Sequence, residues 1–300
     1  MKLKGCLFMN QSIVNKVKNV KKEYFKKDLI SDQRWNHSLN ILEHLADIDP
    51  ISVREGLKFE FNKSSYSLKD YKEIYCKKLG EVEGSNIIRD LVFILKEFKR
   101  IDKNKIVLFS ATFSGRGVEE LFCTAGSVFS ELGIEIEWHI MYPYNNKFYS
   151  VIKSIHDAMQ GKDSVFTEEE LTIWKKVNAL NANILRSVFY DKKVARIYLE
   201  DLQVLHMIPT IKNINKLMPV AWRSHIANIG VSKYHAGALQ IKEELFNNLS
   251  LLTEDDVVMF QPYNVISALP NKLPSFVQNP GIDPLRKKTK KLLGSKPKKK

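Results

Sequence analysis

Ile106-Val107-Leu108-Phe109-Ser110-Ala111-Thr112-Phe113-Ser114-Gly115-Arg116-Gly117-Val118-Glu119-Glu120-Leu121 is the stretch that decides the fold. Its first four residues form a short apolar run of the kind a strand shows when both its faces are covered. Ser114 to Gly117 is a glycine-containing turn, and a helix is predicted from Val118 to about Leu132, closed by Gly133. The segment therefore reads as one strand-turn-helix unit.

Working outward, Ile134, Ile136, Trp138 and Ile140 alternate with polar residues, which predicts a second strand with one more exposed face. Phe148, Val151, Ile152, Ile155 and Met159 fall at helical spacing, with Gly161 just beyond. Thr167 and Glu170 form a capping box that opens a long helix through Trp174 and Leu180. Further strands are predicted at Ala195 to Leu199, Pro219 to His225, Val257 to Phe260 and Ser275 to Gln278, with a helix from about Tyr234 to Leu249. Strands alternating with helices predict an α/β fold, a parallel sheet with helices on both faces. Before it, Asp32 to Leu45 and Asn86 to Phe98 read as parts of a helical N-terminal extension. The expected organisation is this extension over 1–100, the α/β domain over 101–285 and a basic tail over 286–300.

The formal charge of +13 changes meaning once it is located. Residues 286–300 carry nine Lys/Arg and no acid, and residues 1–30 carry eight Lys against Glu23 and Asp28, so the body between is nearly neutral. The tail reads as solvated and disordered. No aromatic residue is interleaved in it to stack on bases, which argues against nucleic acid as a partner. No apolar run is long enough for a membrane span or a signal-peptide core, and the expected location is the cytoplasm. Cys6, Cys76 and Cys123 are widely spaced and contain no CxxC pair, which indicates neither a disulfide framework nor a zinc site.

In a parallel sheet of this kind, ligands sit beyond the carboxyl ends of the strands. That rule selects Ser114–Gly117, Glu200–Gln203, Arg223–Asn228, Gln261–Asn264 and Asn279–Asp283. The turn at Gly115-Arg116-Gly117 aims backbone N–H groups from a helix N-terminus, where a phosphate or hydroxyl could be held. It could equally be a tight strand-to-helix turn. A dinucleotide fingerprint is excluded, because Glu120 stands where the third glycine belongs and Pro143, not an acid, follows the second strand. His225 reads from its position as a hydrogen-bonded interior histidine or a site residue. Arg223 could fork onto a hydroxyl or phosphate, or pair with an acid such as Asp201. Trp138, Trp174 and Trp222 are expected in the core.

From about Asp70 to Leu285 the chain resembles the N-terminal domain of trehalose synthases and trehalose phosphorylases of the retaining GT-B type. The pieces that carry the resemblance are FSATFSGRGVEELF (109–122), FYSVIKSIHDAMQG (148–161) with FTEEEL (166–171), WRSHI (222–226), FQPYNV (260–265) and NPGIDPL (279–285), in that order. The resemblance implies a Rossmann-like sheet that holds the acceptor. A second domain would grip a nucleotide-sugar or glucose 1-phosphate, and glucose would be transferred with retention. It further implies that Gly115, Arg116 and Gly117 face the sugar phosphate, that Arg223 reads the sugars, and that His225 is the catalytic group facing the donor sugar. Side chains and helix dipoles replace a metal in such sites, so neither cofactor nor metal is expected.

The family's His-Asp-Pro-Gln-Pro segment corresponds to Glu200-Asp201-Leu202-Gln203-Val204, which keeps Asp201 and Gln203 as substrate-binding candidates and replaces the histidine with Glu200. Arg116 replaces a middle glycine, and Ala227 stands where the family has an acid. These departures support an alternative, a catalytically inactive sugar-binding or scaffold protein descended from such an enzyme. After Leu285 only fifteen residues remain, so the expected partners are a sugar acceptor, a nucleotide-sugar and a separate donor-domain protein. Self-association is compatible with the sequence.

Overall fold

The computed structural model describes residues 9–25, 32–59, 68–82, 85–86, 89, 103–111, 126, 129–130, 133–142, 147–159, 162, 165–224, 236–260 and 275–277. The chain divides into two compact units. One comprises Met1–Glu60, Lys105–Thr112 and Glu137–Gln278, and the other Phe61–Asn104, Phe113–Ile136 and Asn279–Lys300.

The first unit is built on a sheet of β1 (Lys105–Ser110), β2 (Glu135–Ile140, its last four residues in this unit), β3 (Val194–Glu200), β4 (Val220–Ser224), β5 (Val257–Phe260) and β6 (Ser275–Val277). Their order is β2-β1-β3-β4-β5-β6, and β1, β3, β4, β5 and β6 are mutually parallel. The fold is thus α/β, with a parallel sheet flanked by helices. Successive connections run from β1 outward to β2 and then back past β1 to β3. The order of strands therefore reverses between β1 and β3, where such sheets open a ligand crevice.

Helices α1 (Gln11–Phe25), α2 (Asp32–Ile48) and α3 (Pro50–Leu57) precede the sheet. Between β2 and β3 come α5 (Lys147–Met159), α6 (Glu168–Ile184) and the 3-10 turn η1 (Arg186–Tyr190). The turn η2 (Leu202–Val204) and α7 (Met207–Ile214) lead to β4, and α8 (Ala236–Leu249) leads to β5. Local chemistry starts these helices. Asp49 caps α3 by accepting from the Ser52 N–H at 3.0 Å, with Pro50 behind it. The predicted capping box at Thr167 and Glu170 is closed in both directions, at 3.1 and 2.9 Å.

Register partners in parallel strands face the same side of a sheet. Val107, Ile197 and Val220 share one face with Phe109, Leu199, Trp222 and Val258. These residues join Leu42, Val53, Val151, Ile155, Val177, Ile208 and Ile241 in a single apolar core, so α2, α3 and α5 to α8 pack on that face. Helices α1 to α3, a preface to the sheet, are part of this core. Its fit is tight at Gly56, where an added Cβ would lie 2.6 Å from Val17 of α1.

β2 differs from its expected one-sided exposure: Glu137 and His139 are buried at 2% and 0% exposure. The reason is a charge cluster at the amino ends of the strands. Arg54 of α3 donates two parallel hydrogen bonds to Glu137, at 2.6 and 2.7 Å, and a third to Asp191 at 2.9 Å. Lys105 reaches Glu137 at 3.2 Å and His139 Nε2 lies 2.7 Å from it. Burial pushes the Glu137 carboxyl up, but the hydrogen bonds and charges of His139 and Arg54 more than reverse this and hold it well below the usual carboxylate range. Burial pushes the His139 imidazole down despite the carboxylate beside it.

In the second unit, α4 (Leu68–Leu79) ends on Gly80, whose φ of +93° is a left-handed cap. Cys76 near that end is a free thiol, its Sγ 3.7 Å from the Glu81 carbonyl. Gly133, predicted to close a helix, has φ +74° and donates to Ser130 O at 3.0 Å. The helices predicted from Val118 to Leu132 and from Asn86 to Phe98 lie for the most part outside the described residues. The basic tail is entirely outside them.

Glu137→Ala strands Arg54 and Lys105 without their shared carboxylate. The expected loss of stability in urea unfolding is about 3–5 kcal/mol, and a loss below about 1 kcal/mol would show that solvent screens the cluster.

Candidate functional site

The carboxyl-end row of the sheet is polar. Ser110 of β1, Glu200 of β3 and Arg223 of β4 are register partners on the face opposite the apolar core, and each is 2% exposed. Tyr198 stands two residues before Glu200 on the same face, and its hydroxyl accepts a long contact from Arg223 Nη1 at 3.5 Å. Arg223 Nε has no hydrogen-bond partner among the described residues. The acid beside it is Glu200, its register partner across the strands, which feels the Arg223 charge.

Burial pushes the Glu200 carboxyl up to about 8, Arg223 opposes the rise and the charge of Asp201 adds to it. Tyr198 is likewise raised, by burial first and by Glu200 second. A carboxyl that holds its proton near neutrality can donate a hydrogen bond to a ligand oxygen as well as accept one.

Immediately after Glu200 the chain makes a strained bend. Asp201 adopts φ 72° and ψ 179°, a region that glycine alone enters readily, and it is the one non-glycine residue with positive φ among those described. Two donors and acceptors hold it there. The Asp201 N–H donates to Arg223 O at 2.7 Å, and Trp222 Nε1 donates to the Asp201 carbonyl at 3.0 Å. Two residues on, the Gln203 carbonyl accepts from Trp174 Nε1 at 3.1 Å and from Asn178 Nδ2 at 2.9 Å. Trp138 Nε1 completes the pattern by donating to Ser110 Oγ at 2.7 Å. The three tryptophans expected in the core are indeed there, each at 0% exposure, and every indole N–H is spent on the carboxyl edge of β1 or β3.

The Gln203 side chain meets His156 Nε2, from the last turn of α5. Below it, His206 packs edge-on against Trp174 at 4.4 Å, with Nδ1 3.2 Å from Asn248 Nδ2. Burial and the charge of Lys175 push its imidazole down to about 3, so it is neutral and structural.

Of the residues singled out in the sequence, Asp201, Gln203 and Arg223 are brought together around this bend. Gly115, Arg116, Gly117 and His225 lie outside the described residues, as does Ala227; His225 is the next residue after Ser224, which ends β4. His156 entered the sequence reading only as part of the FYSVIKSIHDAMQG stretch. Its signal was present in the HDAMQG stretch, but a helical position one step beside the buried Ile155 does not announce which loop it will meet. Glu200 was noted as a replacement, and its burial was not foreseeable from a strand end. Among the described residues no group of three or more His, Cys, Asp or Glu is placed to hold a metal ion, and no helix is long and apolar enough to cross a membrane.

A parallel sheet that reverses its order between β1 and β3, with buried polar side chains on the carboxyl edge of both, defines a Rossmann-like domain of the kind found in GT-B glycosyltransferases. Residues 108–261 match the family described as "Trehalose synthase, N-terminal domain", and the chain belongs to that family. The trehalose synthase of Pyrococcus horikoshii is 27% identical over 168 residues, which cover 56% of this chain and 36% of that protein. The trehalose synthase of Rubrobacter xylanophilus is 33% identical over 102 residues, covering 34% of this chain and 24% of the relative. Trehalose phosphorylase of Pleurotus pulmonarius is 25% identical over 233 residues, covering 75% of this chain and 30% of the relative. The chain thus spans about a quarter to a third of the length of these curated relatives.

Two expectations follow from the bend and its carboxyl neighbour. Asp201→Gly and Asp201→Ala both remove the carboxylate, but only glycine relieves the backbone, so the glycine variant is expected to be the more stable by about 1–3 kcal/mol in chemical denaturation. Equal stabilities would mean that the bend stores no strain. Glu200 keeps its proton up to about pH 8 when folded, whereas unfolded it releases it near its ordinary 4.5. The folded state binds the extra proton in between, so stability falls as pH rises through that window. Glu200→Gln therefore melts with the wild type at pH 4 and above it at pH 9; a constant gap at the two pH values would contradict the buried protonated carboxyl.

Proposed function

We propose that this chain is the acceptor-side half of a retaining glycosyltransferase. It transfers glucose from a nucleotide-glucose or from glucose 1-phosphate to a sugar acceptor, working with a donor-binding domain. The observation that carries this reading is the placement of Glu200, Asp201, Gln203 and Arg223 around the β1/β3 reversal, inside the region shared with the trehalose synthase N-terminal family. The relatives are trehalose synthases and trehalose phosphorylases, which makes glucose the first acceptor to try.

In this reading the carboxyl-edge residues bind and orient the sugar. Arg223 and the Glu200 carboxyl offer donors in a low-dielectric setting, where each hydrogen bond discriminates strongly between a hydroxyl and its absence. His225, directly after β4, shares charge with the oxocarbenium that develops on the donor sugar. The Gly115-Arg116-Gly117 turn receives the donor phosphate. No metal or organic cofactor takes part, and the reaction proceeds in the cytoplasm.

A second reading is sugar binding without turnover. It is favoured by Glu200, which brings a buried carboxyl where the family pattern has a histidine.

Chromatography decides between the two. The chain is incubated with glucose and either nucleotide-glucose or α-glucose 1-phosphate, alone and with a donor-domain protein of the family. An α-configured disaccharide is the expected product, lost in His225→Ala. Glucose binding by calorimetry with no product under either condition would establish the second reading, and neither binding nor product would overturn both.

A further inference from the structure

We propose that His156 belongs to the sugar site and acts with Gln203 as a donor-acceptor pair that reads one hydroxyl-bearing edge of the acceptor. The inference rests on the acceptor-side reading above and adds to it a residue from a different element, α5.

Three observations carry it. The first is position. Gln203 follows the strained Asp201 at the carboxyl end of β3, one of the two strands that flank the reversal of strand order, where a ligand crevice opens. His156 arrives from the last turn of α5, which is fixed to the core through Phe148, Val151, Ile155 and Ala158. His156 sits beside that buried stripe, half-buried, and its neighbour Asp157 turns to Lys162 at 2.6 Å.

The second is preorganisation. The Gln203 backbone is clamped by two N–H donors on its carbonyl, from Trp174 and Asn178, both on α6. The residue is buried, at 6% exposure, and the contact of its side chain with His156 removes most of the rotamer freedom left to it. The strain at Asp201 immediately upstream is of the kind that persists where a chain is over-determined for a purpose.

The third is hydrogen-bond accounting. The contact uses Gln203 Nε2 and His156 Nε2. If the amide donates, the imidazole accepts at Nε2 and carries its proton on Nδ1, leaving the Gln203 oxygen as acceptor and the His156 Nδ1–H as donor. With the amide turned over, the oxygen accepts from Nε2–H and leaves the amide N–H as donor and Nδ1 as acceptor. Either arrangement presents at least one donor and one acceptor. Neither remaining group has a partner among the described residues. A donor beside an acceptor is the complement of a sugar hydroxyl, which itself donates once and accepts, or of two adjacent hydroxyls.

The test uses glucose and its four monodeoxy derivatives (2-, 3-, 4- and 6-deoxyglucose) as calorimetric probes on the full 300-residue chain, with His156→Ala and His156→Gln, each checked by thermal melting. Wild-type chain is expected to bind one deoxyglucose, or an adjacent pair, about tenfold more weakly than glucose, the loss of one hydrogen-bonded contact. His156→Ala is expected to bind glucose about tenfold more weakly and to lose that selectivity, treating the same deoxyglucose and glucose alike. His156→Gln, whose amide can both donate and accept at similar reach, recovers much of the affinity. A merely structural histidine would weaken every sugar by one common factor, and that result overturns the proposal, as does unaltered glucose binding in His156→Ala; both leave the acceptor-side reading standing. Failure of the wild-type chain to bind any of the five sugars overturns the proposal together with that reading.

Discussion

Three indole N–H groups hold the chain in place where β1 and β3 end. Trp138 ties Ser110, Trp222 ties the Asp201 carbonyl and Trp174 ties the Gln203 carbonyl. Each ring is fully buried, so these bonds form where water cannot substitute for them. An indole supplies this support cheaply. Its bulk fills the core and its single polar atom points out of it, with few rotamers to freeze.

The bend at Asp201 depends on that support. Backbone in a glycine-only region survives only where its surroundings fix it, and here the Arg223 carbonyl and the Trp222 indole hold the two ends of one peptide environment. Because the bend is fixed, Glu200 on one side and Gln203 on the other are delivered to set positions, one on the sheet face and one toward α5. The same strand therefore serves two purposes on its two faces. Leu199 and Ile197 anchor it to the helices, while Tyr198 and Glu200 build a polar row with Arg223.

The architecture was legible because it rests on short-range rules. A run such as Ile106 to Phe109, the Thr167/Glu170 box and the spacing of Phe148, Val151 and Ile155 each constrain structure within a few residues, and the strands at β3 to β6 fell within one residue or so of their expected ends. Contacts that join distant segments were not legible in the same way. The burial of Glu137 depends on Arg54, 83 residues earlier, and the meeting of His156 with Gln203 spans 47. Nothing in the alternation of β2 announces that its polar face will be covered by an arginine from the preface. The resemblance to a family supplied Asp201, Gln203 and Arg223 as candidates, but not the conformation of Asp201, which reads as an ordinary acid in any one-dimensional view.

β1 begins with Lys105, in the Glu137 charge cluster, and ends with Ser110, in the polar row. Six residues of extended chain put about 17 Å between those two places, with only apolar side chains along the way. The charges that secure α3 and the polar row at the carboxyl edge are thus insulated from each other by the strand itself. A substitution at Glu200 therefore changes the polar row at one end of the strand without disturbing the electrostatic latch at the other, so the two ends of the sheet are separable in energy as well as in space.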